Sequence, residues 1–369
     1  MSAKVNKTFE SCNTAMPEHG GHVRANNGSL DTLVQLGTTN MHTCCVPSPS
    51  EDKLSLQNTT TKHDKKNLQK RARRKYLTNG MAVGLVRASE ENPNSVLRKG
   101  YWRSYHCTAS LQLRENGHIT AEYCNCRWCM VCNAIRTAKY INKYNPIITN
   151  WENAHFVTLT EKNCKASELR ARIDSMQGIF KAIMENQKRK FQRGNSNFRL
   201  VGIRKLECTY NAVRDDYNPH FHVIMESKEM GAVLRSEWLK RNDLAKAGGQ
   251  DMRPVDSKAC MELFKYMTKV VSGNAKTGRS IYVDALDIIF NAIHRKRTIQ
   301  PFGFKAGKLS VEDEGENIDA GHVLAVMRWH QEVTDWVDAE TQELFTGYTP
   351  GDGMRDLVEN KVRFARKKD

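Results

Sequence analysis

The sequence predicts an α+β protein: an antiparallel or mixed sheet with flanking helices, preceded by a small cysteine-rich segment and a disordered N-terminal arm. Three observations predict it. Short β-branched runs alternate with stretches of helical period between residues 154 and 272. Two of the strand-like runs, 198–210 and 219–227, are separated by only the eight residues "NAVRDDYN". That is a direct hairpin, which a doubly wound parallel sheet does not use. Residues 1–75 are rich in Ser, Thr, Asn, Gly and Lys and carry little periodicity, a composition that cannot bury a core.

The bulk properties narrow the class. The chain has 369 residues, 39% of them apolar, with 57 Lys and Arg against 41 acids and a formal charge of +16. A chain of that length can bury a core, and the charge points to a polyanionic partner, most simply nucleic acid. There is no apolar run long enough to span a membrane. The first residues lack the apolar stretch of a secretory signal, so a cytoplasmic location is expected. In that reducing compartment eleven cysteines, an odd number, read as thiols or metal ligands rather than disulfides.

The elements follow in order. The arm, 1–75, ends in "KHDKKNLQKRARRK", which either grips phosphates or opens a solvated charged helix. In the cysteine-rich segment, 76–150, alternation around "RENGH" predicts a hairpin turning at Asn116 and Gly117. "AHFVTLT", 154–160, is a strand. Residues 167–191 have helical spacing, with Ser167 as the N-cap. The hairpin 198–227 comes next, then a helix over 231–247 ended by Gly248 and Gly249, then another over 257–272. Residues 151–309 form the main domain. The acidic, Trp-containing extension 310–369 carries no chemistry that can be assigned from its residues.

"CNCRWCMVC" holds Cys124, Cys126, Cys129 and Cys132. Overlapping Cys-x2-Cys steps present thiolates to one tetrahedral zinc. Four ligands within nine residues force a tight wrap. The favoured set is therefore Cys129 and Cys132 as a knuckle, with Cys124 and Cys107 at the two ends of the preceding hairpin. Cys126 is a spare or an alternative to Cys124. Four protein ligands leave no open position, so this Zn²⁺ is structural.

"YNPHFHVIM" sets His220 and His222 two residues apart in a strand, and hence on one face. Two neutral imidazoles there can clamp a divalent cation. Glu207, in "KLECTY" on the partner strand, can complete the set across the ladder. Two His and one carboxylate leave positions open for phosphate and water, which suits Mn²⁺ or Mg²⁺. "MELFKYMTK" places Glu262, Tyr266 and Lys269 on one helix face. A phenolate can attack a phosphodiester and retain the cut end. Lys269 can neutralise developing charge, and Glu262 can act as a base for a second transfer.

These motifs resemble the HUH endonucleases, most closely the rolling-circle plasmid replication initiators of the Rep_1 family. "FVTLT" at 156–160 looks like the family's first motif, "NPHFHVIM" the second and "ELFKYMTK" the third. The cysteines Cys124, Cys129 and Cys132, with Cys107 upstream, look like its zinc-binding segment; "LECTYN" and "IQPFGF" also have counterparts. The resemblance covers roughly residues 100–305, with all motifs in order. It implies an HUH-type sheet, nicking by Tyr266 and a general base at Glu262. It also implies origin DNA as substrate, single-stranded or hairpin, and a host helicase and polymerase as partners. Position 270 is Val, so a one-tyrosine cycle assisted by Glu262 is expected. Cys126 departs from the family spacing. Two alternatives stand beside this reading. One is a relaxase or transposase of the same chemistry, disfavoured because Tyr266 follows the histidines. The other is a non-catalytic zinc-containing DNA-binding repressor.

Overall fold

The computed structural model describes residues 62–256, 259–264, 279–304 and 322–365. Most of the arm, together with Tyr266, Lys269 and Val270, lies outside them. The chain opens with a long helix, α1 (Lys62–Glu91), followed by α2 (Arg98–His106). The hairpin β1 (Ser110–Arg114) and β2 (Ile119–Ala121) turns as expected, with Gly117 at φ +76° and the Asn116 side chain accepting from the His118 N–H. The sequence continues through α3 (Met130–Thr149), β3 (His155–Thr160), α4 (Leu169–Gln192), β4 (Gly202–Asn211) and β5 (Asp216–Met225). Then come α5 (Lys228–Arg241), β6 (Asp251–Pro254), α6 (Ala259–Phe264), β7 (Ile281–Tyr282), α7 (Val283–Ala292) and β8 (Ile299–Phe302). The C-terminal part adds β9 (Val323–His330), β10 (Asp335–Asp338), α8 (Asp352–Glu359) and β11 (Val362–Arg363).

The central sheet has five strands in the order β6-β3-β5-β4-β8, all antiparallel. Strand β5 lies in the middle, and alternation gives it two faces. Phe221 and Val223 point into the main core, where Phe180 of α4 and Trp238 of α5 pack edge-on against Phe221. Ile224 points the other way, into a smaller cluster with Phe156, Ile203, Tyr144 of α3, and Leu263 and Phe264 of α6. The histidines share this second face.

Two segments left open by the sequence are placed, and two helix boundaries are corrected. Residues 62–75, read with the arm, are helical: Leu68 and Ala72 are buried, and Ala72 packs with Leu111, Met327 and Trp336. A basic run can form a helix when one stripe of it meets apolar surface. The described part of the extension joins the fold. Strands β9 and β10 continue the β1–β2 hairpin into a four-stranded sheet, β10-β9-β1-β2. Ser167 is not the cap of α4, because a 3₁₀ turn at Ala166–Glu168 leads into that helix. The helix expected to 247 starts at Lys228, capped by the Ser227 hydroxyl, and stops at Arg241. Helix α1 packs on α2, α3, α7, α8 and β11. At Gly84 a Cβ would fall 2.7 Å from Val283 Cγ1 and 2.9 Å from Val362 Cγ1, so glycine there permits close approach.

Candidate functional site

The antiparallel register brings the predicted ligands together. Glu207 on β4 is directly opposite His220 on β5, and β3 pairs Thr158 with His222 and Thr160 with His220. The His220 Nδ1–H donates to the Asn218 carbonyl at 3.0 Å, which leaves its Nε2 lone pair free to ligate. That Nε2 lies 3.2 Å from His222 Nε2. Two cis ligands on an octahedral cation at about 2.1 Å sit about 3 Å apart, so the imidazoles fit one ion. Glu207 Oε2 is 3.8 Å from His222 Nε2, and the three ligand atoms lie within 4.8 Å of one another.

The charges favour the ligating forms. Burial alone would raise the Glu207 carboxyl, but the Lys205 ammonium and both imidazoles hold it down at about 2. Burial, with His220 alongside, pushes His222 down to about 3, so it stays neutral. Lys205 is fully buried, with Nζ 2.7 Å from Glu207. Sequence reasoning missed it, though its two-residue spacing from Glu207 puts both on one face. Arg253 was also missed. It pairs across the ladder with Phe156, and its guanidinium lies 4.8 Å from that ring, which is itself 5.3 Å from the His222 ring. Arg253 also bonds the Glu262 carboxylate. Glu262 is thus joined through Arg253 and Phe156 to the histidine face. Tyr266 and Lys269 fall outside the described residues.

If the triad holds a cation, His222→Ala removes one of three ligands and should cost ten- to a hundredfold or more in metal affinity. The secondary structure, read by circular dichroism, should not change, since an open site is not what holds the sheet. Unfolding of His222→Ala would instead identify a core histidine.

The cysteines form a second group. The Sγ atoms of Cys107, Cys124, Cys129 and Cys132 lie within 4.8 Å of one another. Cys132 Sγ is 3.5 Å from Cys107 Sγ and 3.7 Å from Cys124 Sγ. Thiolates at about 2.3 Å on a tetrahedral zinc are about 3.7 Å apart, so the set fits that ion. Backbone N–H groups of Cys124 and Cys132 donate to Cys107 Sγ and Cys129 Sγ, which favours the thiolates. Cys126, held open as an alternative ligand, points away and donates to the Gly100 carbonyl at 3.4 Å. Helix α1 closes the site: the Thr78 hydroxyl accepts from the Met130 N–H, and Lys75 is buried with Nζ 2.6 Å from the Tyr105 carbonyl. Burial pushes the Lys75 ammonium down to about 8, against the pull of the Cys107, Cys129 and Cys124 thiolates.

Fold and site thus define an α+β protein with two candidate metal-ligand clusters. Residues 117–231 match the model of the Rep_1 family, described as replication protein. The matched span includes Glu207, both histidines and three of the four clustered cysteines. Relatives agree. A "Protein rep" of Staphylococcus aureus is 29% identical over 185 residues, 44% of this chain and 76% of the relative. One from Bacillus amyloliquefaciens is 26% identical over 269 residues, 59% and 76% of the two chains. One from Streptococcus pneumoniae is 31% identical over 142 residues, 34% and 42%. No solved structure matches. No helix among the described residues is long and apolar enough to cross a membrane.

Proposed function

We propose that this chain is a plasmid rolling-circle replication initiator, an HUH-type endonuclease that nicks one strand of origin DNA and later rejoins it. The observation that carries the reading is the Glu207–His220–His222 cluster on the central strands of an antiparallel sheet, within a stretch that matches replication proteins. In this reading residues 76–150 are the zinc-binding segment and 151–309 the endonuclease domain, with the protein working in the cytoplasm beside a host helicase and polymerase.

A Mn²⁺ or Mg²⁺ ion held by Glu207, His220 and His222 supplies Lewis-acid polarisation of the scissile phosphate when bound. Asn218 fixes the His220 tautomer, and Lys205 keeps the Glu207 carboxylate ionised and oriented. The Tyr266 hydroxyl gives up its proton as its oxygen attacks phosphorus, the bond to the 3′ oxygen breaks, and that oxygen takes up one proton to leave as a 3′-hydroxyl. The 5′ phosphate stays on Tyr266. Lys269 offsets the charge that develops. Tyr266 is then consumed, and Glu262 activates a water or the new 3′-hydroxyl for release.

The test is incubation of the full chain with labelled single-stranded origin DNA and Mn²⁺, with a chelator as control. A covalent protein–DNA adduct that needs the metal supports the reading. Binding without cleavage would leave the repressor alternative. Within the same assay, Glu262→Ala should still nick but release slowly, so that adduct accumulates. Normal release by that variant would reduce Glu262 to a partner of Arg253.

A further inference from the structure

A second charged surface lies away from the triad. Two arginines converge on the last turn of α7: Arg127 donates to the Ile293 carbonyl at 3.1 Å, and Arg170 to the Asn291 carbonyl at 3.0 Å. A helix C-terminus attracts cations, but more are gathered here than it accounts for. Arg136 stands beside Arg127, and His294 and Arg295 follow the helix directly. Burial, with Arg295, Arg127 and Arg170 alongside, holds the His294 imidazole below its ordinary value. Among the described residues no carboxylate pairs with Arg127, Arg136, Arg170 or Arg295. Clustered guanidiniums repel one another, and a cluster whose arginines have no carboxylate paired with them points to an anionic partner.

The cluster borders a groove of about 1140 Å³ whose rim includes Asn92, Asn94 and Ser167. Glu91 and Asp284 also line it, and the Asp284 carboxylate is engaged by the Ala365 N–H at 2.9 Å. The Phe364 ring of the lining packs against the core. Arginine, Asn and Ser without stacking rings are the chemistry of phosphate contacts along a duplex. Single-strand grooves add exposed aromatics on which bases stack. The location agrees. Arg170 opens α4, which packs on the Phe221 side of β5, and His220 and His222 face the other side.

We propose that Arg170 and Arg295, beside the C-terminus of α7, form a duplex-DNA backbone grip separate from the metal triad, on the face of the sheet that α4 covers. The inference builds on a DNA substrate but not on the nicking chemistry. It assigns the duplex flanking the cut to one layer of the molecule and the cut strand to the other.

The experiment measures binding of the full chain to a duplex of arbitrary sequence over a range of salt, by fluorescence anisotropy. Arg170→Gln combined with Arg295→Gln should weaken the duplex on the order of tenfold at low salt and reduce the slope of log K against log salt by about 2. Arg295→Gln alone, at an exposed side chain with no hydrogen bond among the described residues, should reduce it by about 1. Cleavage of a short single-stranded oligonucleotide by the double variant should match wild type. Unchanged duplex affinity and slope in both variants would overturn the proposal. So would a fall in single-strand cleavage by the same factor as duplex affinity, since the surface would then not be separate. If wild type itself cleaves nothing, the endonuclease reading fails, while the duplex measurement still decides the grip.

Discussion

Tyr266→Phe is expected to abolish the covalent protein–DNA adduct and leave DNA binding close to wild type. The phenol oxygen is the attacking atom in the proposed transfer, so its removal deletes the reaction rather than slowing it. The loss should be about a thousandfold or more, down to background cleavage. Phenylalanine removes only the hydroxyl and keeps the ring, so affinity should hold. The readout is a labelled strand that migrates with the protein on a denaturing gel. If the Phe variant still forms adduct, another tyrosine must be the nucleophile. Tyr210 and Tyr217 are poor replacements. They pair with each other on the sheet face away from the histidines, Tyr210 donates to Asp215, and burial pushes both phenols far up. Tyr140 packs with Phe264 in the cluster on the histidine face and would be tested next.

If the cysteine cluster holds zinc, Cys132→Ala is expected to release it and unfold the segment around it. Its Sγ is close to those of both Cys107 and Cys124, so it links the hairpin side of the site to α3. Structural zinc contributes roughly 10 kcal/mol or more to folding in small domains. Three remaining thiolates around Lys75 do not replace it. Zinc content should fall from about one ion per chain to nearly none. The melting temperature should drop, and protection from hydrogen exchange should be lost first in β1 and β2. Cys126→Ala is the control: its thiol lies outside the group, so zinc should be retained. If Cys126→Ala releases the metal and Cys132→Ala does not, the ligand set is wrong.

The candidate site was more legible than the fold around it. Strand period alone put His220 and His222 on one face, and a tight hairpin placed Glu207 within reach of them. Both are local signals. The cysteines were legible because thiols packed that densely along a chain are unusual outside metal sites. The partners of β1 were not legible. Arg328 pairs with Ser110 across more than two hundred residues, and no local pattern announces such a contact. Helix α1 was obscured for a different reason. Its basic first half buries only a narrow stripe around Leu68, Ala72 and Lys75, too little to stand out against its charge. Arg253 was missed because its role depends on which strand lies beside β3, and β6 arrives there only through the fold.

The β1–β9 pairing has a consequence for synthesis in the cell. A ribosome adding about 5–20 residues per second needs on the order of ten to forty seconds after finishing β1 to deliver β9. During that interval the hairpin has an open edge where β9 will pair, and such edges invite association with other chains. The four cysteines all emerge before residue 133, so metal capture can hold the hairpin while the rest is translated. Zinc-starved cells should therefore accumulate this chain as aggregate formed during translation, whereas chelation after synthesis should do much less.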